Sequence, residues 1–142
     1  METLRIGEKD IRDGEYIARV VNFNGDVTIE PDLGIVTFVS LKATGSILAG
    51  KGTGIKADGD VIAGGSIWAD ASIIVGGTII AGWNVKADKS IEAGGNISAE
   101  LYIAAGMIPS RKPTLEEMEI RCRNVVNGKI IFGTLIELGS KA

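Results

Sequence analysis

The chain has 142 residues, a length that suits one domain, and a formal net charge of −3 from scattered charges. No basic stripe marks a nucleic-acid surface and no acidic block marks a tail. The single cysteine, Cys122, excludes an internal disulfide, and the absence of histidine removes the imidazole that most hydrolase triads, acyl-transfer bases and many zinc sites need near neutral pH.

Hydrophobic residues make up 45% of the chain but aromatics only 5%, and there are 20 glycines. A core of small and β-branched side chains with frequent tight turns follows from that balance. The segment Met1–Arg5 lacks the apolar run of a signal peptide. Gly, Asp and Ser interrupt every apolar stretch, so no membrane span and a cytoplasmic location are expected.

Residues 1–38 read as an N-terminal β cap, out of phase with the central residues. Tyr16–Val21 has strand character, Asn24-Gly25 before Val27-Thr28-Ile29 is a hairpin signal, and Ile35–Val39 leads onward.

Residues 39–107 carry a six-residue repeat. Ile55, Val61, Ile67, Ile73, Ile79, Val85, Ile91, Ile97 and Ile103 follow one another six apart, and two residues after each stands Ala, or Val at Val75. The next residue is Asp, Gly or Glu. Residues i and i+2 point to the same side of a strand, so the aliphatic and the Ala face inward and the residue between them faces out. Gly, Asp, Asn and Ser supply a bend after each short strand. A six-residue period does not fit a helix, and it leaves no room for long hairpin strands. Leu41-Lys42-Ala43 and Ile47-Leu48-Ala49 obey the same rule. Gly50–Gly54 then contains a two-residue insertion, expected as a bulged corner.

Residues 108–142 read as a C-terminal cap. Pro109 and Pro113 stop the coil, and Thr114 with Glu117 forms a capping box for a short helical turn over Leu115–Met118. Strands follow over Ile120–Arg123, Val125-Val126 and Lys129–Phe132, with a turn at Asn127-Gly128, and then over Thr134–Leu138. These segments either cover the last coil or extend its sheet. The fold expected is therefore all-β: a single-stranded β-solenoid (β-helix) of six-residue repeats, triangular, with β-hairpin caps at both ends. Larger side chains are expected where the ends are plugged.

The outward residues of successive repeats are Lys56, Ile62, Trp68, Ile74, Ile80, Lys86, Glu92, Ser98 and Ala104. Ile62, Trp68, Ile74 and Ile80, with Trp83 at a nearby corner, form the candidate interface. Three sides per turn would stack Ile62 under Ile80 and then Ser98. Two sides would place Trp68 under Ile80 and Ile62 under Ile74. Three sides are preferred.

The other candidates are bland. Asp58, Asp60, Asp70 and Asp88 read as turn residues, because the regular spacing of calcium-binding coils is missing. Cys122 alternates with Met118 and Ile120 and reads as core. Glu116, Glu117 and Glu119 near Arg121 and Arg123 read as solvated ion pairs.

The repeat resembles the hexapeptide repeat of left-handed β-helix proteins, which include acyltransferases and γ-type carbonic anhydrases whose functional histidines this chain lacks. The Gly-punctuated Ile-x-Ala-Gly run also resembles the bactofilin-type polymer-forming proteins and similar phage-borne Gly-rich repeat proteins. That second resemblance implies a non-enzymatic scaffold. The expected function is a structural or assembly protein, without catalytic residues, cofactor or metal, that self-associates into a finite homo-oligomer. The alternatives are a mobile-element or phage-borne inhibitor that binds a host or viral protein, which would add the virion as a location, and a carbohydrate-binding or fibre module using Trp68 and Trp83.

Overall fold

The computed structural model describes residues 2–13, 15–16, 20–106, 108, 112–123 and 125–137. In chain order the strands are β1 (Glu2–Ile6), β2 (Ile11–Arg12), β3 (Glu15–Tyr16), β4 (Val20–Phe23), β5 (Gly25–Ile29), β6 (Gly34–Phe38) and β7 (Ser40–Ala43). They continue as β8 (Ile47–Ala49), β9 (Thr53–Ala57), β10 (Val61–Ala63), β11 (Ile67–Ala69), β12 (Ile73–Val75), β13 (Ile79–Ala81) and β14 (Val85–Ala87). The last are β15 (Ile91–Ala93), β16 (Ile97–Ala105), β17 (Glu119–Cys122), β18 (Val125–Phe132) and β19 (Thr134–Glu137).

Pairing is parallel and joins each strand of the repeat to the third one after it, so three sides make one turn. Val61 pairs with Ile79, Ile67 with Val85, and Ile73 with Ile91. The first face stacks β4, β7, β10, β13 and the start of β16. The second stacks β1, β5, β8, β11, β14 and the end of β16. The third stacks β3, β6, β9, β12, β15, β17 and β19. The result is a β-solenoid of about six turns.

Inside, every aliphatic of the repeat lies on another. Ile73 is fully buried between Ile55 and Ile91. Burial of one such side chain contributes about 1.5–3 kcal/mol, and the stack repeats it on all three sides. The Ala positions form a second set of columns, and the large-beside-small pairing fills the narrow interior. At the N-terminal end these columns finish in bulkier residues. Phe23 lies on Ala43, Ile29 on Ala49 and Phe38 on Ala57, with the Tyr16 ring 5.4 Å from that of Phe38. Large side chains thus plug this end of the stack.

The coil extends beyond its expected limits. Strands β4, β5 and β6 continue the ladders of β7, β8 and β9 without a break at residue 38. Val21 and Val27 already stand six apart, as the repeat requires. Asn24-Gly25 is a corner between the first and second faces and not a hairpin, because β4 and β5 belong to different faces. One small hairpin does lie at this end, where β2 pairs antiparallel with β3. Ile17, Ala18 and Arg19, part of the expected Tyr16–Val21 strand, lie outside the described residues.

The C-terminal segments also stack as parallel rungs in place of a hairpin cap. Ile120 lies on Ile91, Leu135 on Ile120, and Ile130 on Ile103. The turn expected at Asn127-Gly128 is absorbed into β18, which follows β16 round a corner with register shifts. Gly128 allows this with φ 111°, a backbone conformation open mainly to glycine. The capping box is present: the Thr114 N–H donates to Glu117 Oε1 at 2.9 Å and the Glu117 N–H to Thr114 Oγ1 at 3.2 Å, ahead of a 3-10 turn over Glu116–Met118. Cys122 is buried, as its alternation predicts. Met107, Pro109 and Leu138 lie outside the described residues.

The two-residue insertion forms a bulged corner stapled by Thr53. This residue is fully buried, donates through Oγ1 to the Glu30 carbonyl at 2.7 Å and accepts from the Leu33 N–H at 3.1 Å. The ordinary corners are tighter. At Gly82 the N–H donates to the Ala63 carbonyl at 3.0 Å, and a Cβ there would run into the Gly64 carbonyl of the turn beneath.

Candidate interaction surfaces

Alternation along each short strand turns the middle residue outward, and the three-sided winding then decides which of these residues become neighbours. The first face presents Lys42, Ile62, Ile80 and Ser98 in successive turns. The second presents Thr28, Leu48, Trp68 and Lys86 in successive turns, while Ala104 at its end pairs with Phe132 of β18 and is fully buried. The third presents Thr37, Lys56, Ile74, Glu92 and Arg121.

The expected band of Ile62, Trp68, Ile74, Ile80 and Trp83 is therefore not one row. A six-residue side sends consecutive repeats to consecutive faces, so within the uninterrupted repeat it is residues eighteen apart that share a column. Ile62 and Ile80 stack on the first face as expected, Trp68 is on the second, and Ile74 stands alone between Lys56 and Glu92 on the third.

Four of the five nevertheless surround one corner. Trp83 occupies the corner between the first and second faces and is 59% exposed. Leu101, 58% exposed, sits in the next turn, where its N–H donates to the Trp83 carbonyl at 2.8 Å. Exposed Ile80 flanks this corner on the first face, and exposed Trp68, with Leu48 one turn below it, on the second. This is an apolar ridge along one edge of the prism. Leu48 and Leu101 had a signal in the sequence: Leu48 is the outward residue of its repeat, and Leu101 lies eighteen residues after Trp83.

Charge gathers at the end of the second face. Lys86 Nζ lies 5.1 Å from the centre of the Trp68 ring and 3.9 Å from Asp88 Oδ1. Asp88 and Asp70 occupy the same corner in successive turns, beside a small depression of about 120 Å³ that Lys51 also lines. Burial pushes the Asp88 carboxyl up to about 6; the hydrogen bond and the negative charge from Asp70 add to this, and Lys86 opposes it. Asp70 Oδ2 accepts from the Gly52 N–H at 2.8 Å, and Asp60 Oδ1 from the Thr78 N–H at 2.8 Å, so both act as turn residues.

Among the described residues no group of three or more Cys, Asp or Glu is placed to hold a metal ion. Of the acidic residues near the C-terminus, Glu119 accepts from Arg121 Nε at 2.8 Å in a partly exposed pair. No helix among the described residues is long and apolar enough to cross a membrane.

Fold and surface together define a β-solenoid with one apolar edge. Comparison with protein-family models, curated proteins and solved structures finds no match to this chain.

Proposed function

We propose that the chain is a non-enzymatic structural protein, a rigid β-solenoid that self-associates into a finite oligomer with the ridge around Trp83 as a contact. The observation that carries this reading is the ridge itself. Trp83, Leu101, Ile80, Trp68 and Leu48 expose large apolar side chains along one edge. A contiguous patch of this kind is the usual mark of an interface. Tryptophan at its centre suits a contact, because a rigid aromatic removes much apolar surface from water at small entropic cost. The solenoid supports it by fixing each side chain on a rung.

Light scattering coupled to size exclusion tests the reading. The wild-type chain is expected to run as an oligomer. Trp83→Glu and Leu101→Glu, with unchanged circular dichroism, are expected to give a smaller species. A monomeric wild-type chain at high concentration overturns it.

A further inference from the structure

The third face differs from the other two in its outward column. Lys56, Ile74 and Glu92 follow one another in successive turns, with Ile74 half-buried and both charges exposed. Rungs of a sheet are spaced about 4.8 Å apart, which puts the two charged positions roughly 10 Å apart with an aliphatic between them. They are too distant to pair within one chain. Lys56 makes no ion pair among the described residues; Arg121, one rung beyond Glu92, pairs with Glu119 at 2.8 Å and also feels the negative charge of Glu92.

We propose that this face recognises the same face of a second copy, with the two coils antiparallel. The inference rests on the reading of the chain as self-associating, but on a surface opposite the ridge. A two-fold axis lying in the contact and parallel to β12, at the height of Ile74, exchanges the rung above with the rung below. Lys56 then meets Glu92 of the second copy, Glu92 meets its Lys56, and Ile74 packs on Ile74. The same residues serve both sides, as an isologous contact requires.

The corner beside the column leaves room for the approach. Gly76 and Gly94 carry no side chain, and Asp58 would stand over Gly94 of the second copy. A shallow depression of about 350 Å³ lies here against Ile74 and Val75. The parallel arrangement is disfavoured, since it would set Lys56 on Lys56 and Glu92 on Glu92. Neither other face has this property: the columns Lys42–Ile62–Ile80–Ser98 and Leu48–Trp68–Lys86 each contain a lysine and no carboxylate. Two isologous contacts close into a dihedral assembly when their axes cross at an angle whose double divides a full turn, so a second contact is compatible with a finite oligomer.

Charge exchange tests the contact. Analytical ultracentrifugation is run on Trp83→Glu, in which the ridge is disabled, and on the same chain carrying Lys56→Glu, Glu92→Lys or both. Trp83→Glu alone is expected to remain a dimer. Either single reversal should weaken that dimer about tenfold or more, and the double exchange should restore it to within about threefold. Circular dichroism verifies that each variant is folded. A monomeric Trp83→Glu chain overturns this contact while leaving the ridge reading intact if the wild type is oligomeric. Single reversals without effect, or a double exchange no tighter than the singles, overturn it equally. A wild-type oligomer whose mass is unchanged by Trp83→Glu but lowered by Lys56→Glu would keep this contact and remove the ridge.

Discussion

Asp88 stands one turn above Asp70 at the corner between the second and third faces, and the two carboxyl groups line one small depression there. The other two corners place Gly82 over Gly64 and Gly94 over Gly76. Here the winding stacks carboxyl on carboxyl, and the pair is most comfortable when one of them holds a proton.

The pH dependence of stability has a definite sign. Asp88 rises from an ordinary 3.8 to about 6 in the folded chain, so between those values the folded state binds more protons than the unfolded state. Its contribution to stability is therefore fully present below pH 3.8, falls as pH rises, and is gone above about 6. The effect should be roughly 1 kcal/mol, less than the full shift implies, because the carboxyl still meets solvent. Melting temperatures compared between Asp88→Asn and the wild type should diverge as pH rises through this window, the variant becoming the more stable. Parallel curves would refute the assignment.

Gly82→Ala tests the closeness of successive turns. The added methyl meets the Gly64 carbonyl, which is fixed in the rung beneath and cannot swing aside. A loss of about 2 kcal/mol or more is expected in urea unfolding, against less than about 0.5 kcal/mol for Lys89→Ala at an exposed corner.

Thr53 offers a test of the bulged corner. Thr53→Val keeps the shape but leaves the Glu30 carbonyl and the Leu33 N–H without their partner, an expected cost of about 2–3 kcal/mol. Thr53→Ser keeps the hydroxyl and should lose less. Equal losses in the two variants would show that the methyl, and not the hydrogen bonds, holds this corner.

How much of this was legible in the residues varies along the chain. From Ile55 to Ala105 the period admits a single inward pair per repeat, and burial follows it at every repeat. At the ends the same period is present but broken. Val21 to Val27 is one six-residue step, but Val36 comes nine residues later, so the N-terminal turns read as something other than coil. Between β16 and β18 the ladder holds only through register shifts, which no spacing rule anticipates.

By itself, then, the sequence determined the repeat, the inward Ile and Ala columns, the corner residues and which side chains point out. These depend on alternation and turn chemistry, which act over a few residues. Only the tertiary structure decided which outward residues are neighbours. Three sides per turn make residues eighteen apart adjacent and send consecutive repeats to different faces. That is why Ile74 parts from Trp68 and joins Lys56 and Glu92, and why Leu101 joins Trp83.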